Sequence, residues 1–274
     1  MIRRPPRSTQ SRSSAASDVY KRQTIFYRRN EMHPDTDLQA LQHSLFHTID
    51  EAALDPNLRN RLAEINGTRA AASVTFFNQN AIRFEENQDL IASWSDYGDS
   101  VESFLINSTS SNQLALEIGP GYGQFLSRLS TVFDRVTALD NSEEMLEQCR
   151  NRSSVQGLTN IDFMLGDTNK AIDNSVKADF ISLNMVLHHN PTPAEIIADC
   201  AQLMNKNGTL LITELCAHDQ EWVKEACGDL WLGFEPESLT QWCSAANLAE
   251  GNSQYLTQRN GFRIQLRQFT LDTK

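Results

Sequence analysis

No stretch of the 274-residue sequence approaches the roughly 18 consecutive apolar residues of a membrane span, and nothing near the start reads as a signal-peptide apolar region. No C-x-x-C occurs either. Cys149, Cys200, Cys216, Cys227 and Cys243 are odd in number and widely spaced, which argues against a zinc or dithiol motif and against a disulfide framework. With 12 Gly and 8 Pro the chain is not collagen-like or of low complexity. What remains is ordinary globular composition, 40% hydrophobic and 22% charged, long enough for one large domain or two small ones around a sizeable core. The expectation is a cytoplasmic protein with reduced, mostly buried thiols.

Basic residues are scarce outside the first thirty positions. Residues 1–30 hold eight Lys/Arg against the single acid Asp18, whereas the rest of the chain carries 16 basic and 34 acidic groups. A body of that charge repels polyanions, because nucleic-acid affinity comes largely from neutralising phosphates; nucleic acid is not an expected partner. Residues 1–23 are rich in Arg and Ser, carry Pro5-Pro6 and lack apolar periodicity, so disorder is expected there. A nucleic-acid-binding arm and an organellar transit peptide are alternatives, but the stretch resembles translated sequencing-adapter read-through. On that reading residues 1–31 are a non-native extension and Met32 is the native start.

From there Leu38, Leu41, Leu45, Ile49 and Ala53 fall three or four apart behind Thr36 and Asp37, predicting an amphipathic helix that Asp55-Pro56 breaks. Leu58, Leu62 and Ile65 predict a shorter helix closed by Asn66-Gly67, and Val74, Phe77 and Ala81 a third. His43 and His47 stand at i and i+4, but no Glu follows as in H-E-x-x-H, and two ligands alone make a poor site. The aromatic group Phe76, Phe77, Phe84, Trp94, Tyr97 and Phe104 reads as core or lid packing rather than a base-stacking platform. Asn107 to Asn112 reads as a linker. A helical cap over residues 32–108 and a second domain over 109–274 follow.

At Leu114 the pattern changes. Leu114, Ala115, Leu116 and Ile118 form an apolar run, Gly119-Pro120-Gly121-Tyr122-Gly123 a glycine turn, and Phe125, Leu126, Leu129 and Val132 a helical pattern. Glycine is needed where a side chain would keep the backbone from approaching a ligand. Val136 to Leu139 is a second strand, and it ends in Asp140, 17 residues after Gly123, where a doubly wound sheet offers a carboxylate to ribose hydroxyls. The dinucleotide fingerprint G-x-G-x-x-G fails, since Gln124 stands at its third glycine position.

The spacing instead is G-x-G-x-G preceded by Glu117. With Leu139-Asp140, this resembles the class I S-adenosylmethionine-dependent methyltransferases over about 160 residues from Leu114 onward. The resemblance implies a Rossmann-like α/β fold, a doubly wound seven-stranded sheet ending in an antiparallel hairpin. It implies S-adenosylmethionine as cofactor and Glu117, Gly119, Gly121, Gly123, Asp140, Asn141, Asp167, Thr168 and Asn184 as its binding residues, with Asp167 near the adenine amino group. Ile161 to Leu165, Ala178 to Asn184 and Gly208 to Glu214 are the further strands, Pro193 to Met204 a helix. Residues 219–248 read as helices, and the last strands fall near Gln254–Thr257 and at Phe262, Ile264, Leu266 and Phe269. Met185 to His189 is the loop that in the family borders the methyl group.

A methyl on sulfonium is already activated, so no metal is expected and the protein has mainly to hold the nucleophile in line. An acceptor bearing a proton also needs a base, for which His188, His189, Glu214 and His218 are candidates. Leu215 to Phe234 also resembles the methyltransferase halves of arsenic-repressor-type regulators, although no winged-helix sequence precedes it. Trp231 and Phe234 fit helix packing better than a substrate cage. Asn184 is followed by Met-Val-Leu, not the Pro-Pro-aromatic of adenine-N6 and glutamine methyltransferases, so a small-molecule acceptor is expected. The competing reading is a non-catalytic S-adenosylmethionine-binding sensor whose N-terminal helices contact a partner; a homodimer is left open.

Overall fold

A computed structural model of the chain describes residues 55–106 and 111–271, together with positions 41, 44, 45, 48 and 49. The chain divides into two compact units, Met1–Pro56 and Asn57–Lys274. In the first, positions 41, 44, 45, 48 and 49 are helical, as the periodicity predicts, and the Thr48 hydroxyl donates to the Ser44 carbonyl. The basic extension, His43, His47 and most of the linker lie outside the described residues.

The second unit is built on a seven-stranded sheet: β1 (Leu114–Ile118), β2 (Arg135–Asp140), β3 (Ile161–Leu165), β4 (Ala178–Asn184), β5 (Met204–Leu215), β6 (Leu248–Thr257) and β7 (Arg263–Leu271), in the order β3-β2-β1-β4-β5-β7-β6. β1 to β5 are parallel, and β7 runs antiparallel to both β5 and β6. A parallel sheet covered on both faces demands apolar residues on both sides of each strand, which is why these segments read as near-continuous apolar runs. Alternate residues feed two cores. Ala115, Phe180 and Leu211 face one, with Tyr97, Val101 and Leu105 of helix α3 (Trp94–Ile106) and Leu126 and Leu129 of α4 (Leu126–Val132). Leu116, Ile181 and Leu210 face the other, with Ile197 and Cys200 of α7 (Pro193–Leu203) and Leu239 and Cys243 of α9 (Pro236–Ala245). Each Leu, Ile, Val or Phe among them contributes about 1.5–3 kcal/mol on burial. All five cysteines are free and buried.

Several boundaries differ from those the sequence predicts. Asn66-Gly67 does not end a helix: α1 runs unbroken from Pro56 to Asn80, 25 residues. A glycine inside a helix costs only about 1 kcal/mol relative to alanine, less than the helix regains by continuing. β5 starts four residues earlier than expected, because Met204 pairs with Ala178 before the register slips and Thr209 pairs with Phe180; Asn207, at φ +61, sits in that irregularity. β6 is longer than the weak pattern at 254–257 suggests, since an edge strand gains its pairing from β7 without needing apolar alternation. Between residues 219 and 248 only α8 (Val223–Ala226) and α9 are helical.

β1 lies between β2 and β4, and the connections from the carboxyl ends of β1 and β4 leave in opposite directions, toward β2 and toward β5. That divergence opens a crevice at the carboxyl ends of β1 and β4, where open α/β sheets place their ligands. Among the described residues no helix is long and apolar enough to cross a membrane.

Candidate functional site

After β1 the backbone turns through three positive-φ glycines, Gly119 (+65), Gly121 (+55) and Gly123 (+74). A Cβ on Gly119 would sit 2.7 Å from Val186 Cγ2, and one on Gly123 2.9 Å from Cys149 Sγ, so packing forbids a side chain at both. A Cβ on Gly121 would meet nothing within 4 Å, because that glycine borders open space. The space is a narrow cleft floored by Glu117, Gly119, Gly121, Asn184 and Met185 and walled by Gln88 of α2 (Phe84–Gln88) and by Trp94 and Tyr97 of α3.

At the cleft floor Asn184 Nδ2 donates to Glu117 Oε1 at 3.3 Å. Glu117 Oε2 and Asn184 Oδ1 have no partner although both are buried. Burial pushes the Glu117 carboxyl up to about 8, against the smaller lowering effect of the Asn184 amide. Two unpartnered acceptors beside a glycine-rich loop fit a ligand with a cationic donor group. Met185 follows in the left-handed region at φ +55, a strained conformation for a side-chain-bearing residue, held by its N–H on the Thr213 carbonyl at 2.8 Å.

Asp140 ends β2, partly buried. One carboxylate oxygen accepts from the Ser142 N–H at 2.8 Å, and burial pushes its pKa up to about 6. Ser142 caps helix α5 (Glu143–Val155), its hydroxyl accepting from Met145 N and donating to Asn78 Oδ1 of α1 at 2.6 Å. Asn141 is exposed. Asp167, at the end of β3, is exposed and caps α6 (Thr168–Asp173) by accepting from Lys170 N, while the Thr168 hydroxyl donates to Asp199 at 2.5 Å. The cleft lining thus brings together Glu117, Gly119, Gly121 and Asn184 but not Gly123, Asp140, Asn141, Asp167 or Thr168.

The loop after β4 folds into a single 3-10 turn, Leu187–His189. His188 Nδ1 meets Glu214 Oε1 in a short hydrogen bond, and Glu214 also accepts from Leu215 N at 2.7 Å and His188 N at 3.2 Å; both side chains are fully buried. Although burial pulls the imidazole the other way, the charges of Glu214 and Asp229 raise His188 to about 9. His189 is held well below its usual range by burial and by the His188 charge. Its ring lies edge-on to Phe77 and Phe84, 4.9 and 6.1 Å between centroids. Asp229 is the residue that sequence reasoning missed; its one signal was an acid inside the apolar stretch Gly228–Phe234. His218 stands apart, packed on Phe262 with Nδ1 accepting from Gln220 N at 3.2 Å, and is lowered by burial. Trp231 and Phe234 lie in the non-helical stretch between α8 and α9, where they pack together and Phe234 packs on Trp242 of α9.

The C-terminal half of α1 and helix α2 close around this end of the sheet. Ser73 Oγ donates to the His189 carbonyl at 3.1 Å, Tyr122 donates to the Ala81 carbonyl, and Gln124 Nε2 donates to Glu85 at 2.9 Å.

A protein-family model described as a methyltransferase domain matches residues 109–261, more than half of the chain. A ubiquinone biosynthesis O-methyltransferase of Coxiella burnetii is 25% identical over 146 residues, 48% of this chain and 62% of that protein; the chain therefore spans less than two thirds of that curated relative. Among solved structures, magnesium protoporphyrin IX methyltransferase from Synechocystis with bound S-adenosylhomocysteine superposes with a TM-score of 0.58 at 17% identity, covering 74% of this chain and 100% of that one. The N-methyltransferase NodS from Bradyrhizobium japonicum, also with S-adenosylhomocysteine, gives 0.53 at 16% identity, covering 69% and 97%.

Proposed function

Because this chain belongs to the methyltransferase-domain family, with S-adenosylmethionine as its cofactor, we propose that it transfers the sulfonium methyl to a small-molecule acceptor by in-line displacement. The observation that carries this reading is the cleft floored by the glycine turn and by the unpartnered Glu117 Oε2 and Asn184 Oδ1. In it, Glu117 and Asn184 receive the cationic methionine end and Gly119 and Gly121 let the backbone approach, while Gly123 lets the turn pack against Cys149. Asp140 and Asn141 hold the ribose, and Asp167 and Thr168 border the adenine. Carboxylate hydrogen bonds of this kind contribute about 1.5–3 kcal/mol each.

The reaction needs little covalent help. Holding acceptor and methyl in line can lower the barrier by roughly 7–11 kcal/mol, and helices α2 and α3 supply the walls of the cleft. An acceptor with an O–H needs its proton removed, and of the three histidines we assign that role to His189. Burial keeps it neutral, its Nε2 is unpartnered, and it packs on Phe84, which lines the cleft. The strongly acidic body disfavours a polyanionic substrate. The curated relatives, O-methyltransferases of ubiquinone biosynthesis by name, favour an oxygen acceptor.

The test is to incubate the chain with methyl-labelled S-adenosylmethionine and a panel of phenols and catechols. Label transfer with stoichiometric S-adenosylhomocysteine is expected; no turnover on any hydroxyl, with turnover on amines or thiols, would overturn the acceptor class.

A further inference from the structure

The floor of the cleft offers acceptors to a cation; its wall has a different chemistry. There Gln88 of α2 presents a side-chain amide whose Nε2 and Oε1 are both buried and both without a hydrogen-bond partner. A buried donor and a buried acceptor left unmade each carry a desolvation cost, so the group that meets this amide has to bring an acceptor and a donor side by side. A carboxylate does not. Its oxygens only accept, so one of them would satisfy Nε2 and leave Oε1 facing another acceptor, which argues against the cofactor's own carboxylate as the partner. A second amide fits, its carbonyl accepting from Nε2 and its N–H donating to Oε1.

The charge of the wall points the same way. Among the described residues no Lys, Arg or His lines the cleft, whereas Glu85 and Asp89 do. Glu85 is partly balanced, since it accepts from Gln124 Nε2 at 2.9 Å and is approached by Arg152 at 3.5 Å. Asp89 meets like charge instead: burial, then the charges of Glu85 and Asp96, raise its pKa. An anionic group entering here would lose water and gain no counter-charge. Phe84, Trp94 and Tyr97 add apolar ring surface, which suits a planar molecule.

We propose that this wall is the acceptor subsite and that Gln88 is its specificity-determining residue, selecting an uncharged planar acceptor that carries a carboxamide or lactam edge besides the hydroxyl to be methylated. The inference rests on the methyl-transfer reading and names the substrate class for it. Pairing through the amide edge leaves the acceptor hydroxyl free to give up its proton to the base. Asp89 and Glu85 act against the corresponding acid, which has the same shape but carries a negative charge. A site whose buried polar groups are met by one ligand and left unpaired by its analogue discriminates strongly between the two.

The test is calorimetric titration of the full chain with S-adenosylhomocysteine, followed by titration of the loaded sample with salicylamide, methyl salicylate and salicylate. The three probes share a hydroxylated ring; the first offers the donor and acceptor edge, the second only acceptors, the third a charge. Salicylamide is expected to bind about tenfold or more tightly than either analogue. Gln88→Leu, checked for folding by thermal melting, should bring salicylamide down to the level of methyl salicylate with S-adenosylhomocysteine affinity unchanged. Asp89→Asn should narrow the gap between salicylamide and salicylate alone. Failure of salicylamide to bind the loaded sample, equal affinities for the three probes, or loss of S-adenosylhomocysteine binding in a folded Gln88→Leu variant would overturn the subsite. A preference for salicylamide in a sample that does not bind S-adenosylhomocysteine would sustain the selectivity of the wall and remove the methyl-transfer reading.

Discussion

Asn184 reaches across from the end of β4 to Glu117 at the end of β1 with a single hydrogen bond of 3.3 Å, and each side chain keeps one buried oxygen unpartnered. The pair is half of a site. In the free protein burial holds Glu117 neutral up to about pH 8, whereas an unfolded glutamate ionises near 4.5.

The free protein should therefore lose stability as pH rises from about 4.5 to 8, because the unfolded state gives up its proton first; the total is on the order of a few kcal/mol. Glu117→Gln should flatten that decline and raise the melting temperature at pH 8. The same ionisation links to ligand. A cationic methionine end favours the carboxylate, so affinity for S-adenosylmethionine should rise from pH 6 to 8, by at most about tenfold per unit, and Glu117→Gln should abolish the trend. Melting curves and calorimetry across pH check both; an affinity independent of pH in the parent chain would separate Glu117 from the cofactor.

Asp140→Ala should weaken S-adenosylmethionine binding at least tenfold, about 1.4 kcal/mol, by removing the carboxylate assigned to the ribose. Unchanged affinity in a folded variant would place the ribose elsewhere.

The glycines separate packing from binding. Gly119→Ala places a Cβ against Val186 in a left-handed conformation, so a loss of about 1–2 kcal/mol or more is expected in denaturant unfolding. Gly121→Ala carries the conformational cost without the clash, and its methyl enters the cleft. Its larger effect should be on cofactor affinity; a Gly121→Ala variant that binds normally would show that the ligand does not approach that turn.

Ser142→Ala removes the cap of α5 together with the bond to Asn78. A loss of about 1 kcal/mol is expected by thermal unfolding. An equal stability would mean that water replaces both contacts.

Much of the fold was readable from the residues because the physics was local. Buried parallel strands must be apolar on both faces, so β1, β2, β4 and β5 announce themselves, and the glycine turn and Asp140 follow from where those strands stop. Asp229 was not readable: its relation to His188 spans about forty residues and exists only once α8 and the loop after it fold back over the turn. Asn66-Gly67 misled because local turn chemistry was outweighed by continuing the helix. Trp94 and Tyr97 were legible as apolar packing, yet only the tertiary structure sets them on the wall of the cleft.

Calorimetric titration of the purified chain with S-adenosylmethionine, S-adenosylhomocysteine and NAD in parallel tests cofactor identity most directly. Saturable micromolar binding of the first two and none of NAD is expected from the glycine turn, Glu117 and Asp140. A folded sample that binds neither sulfur ligand, or that binds NAD in their place, would contradict it.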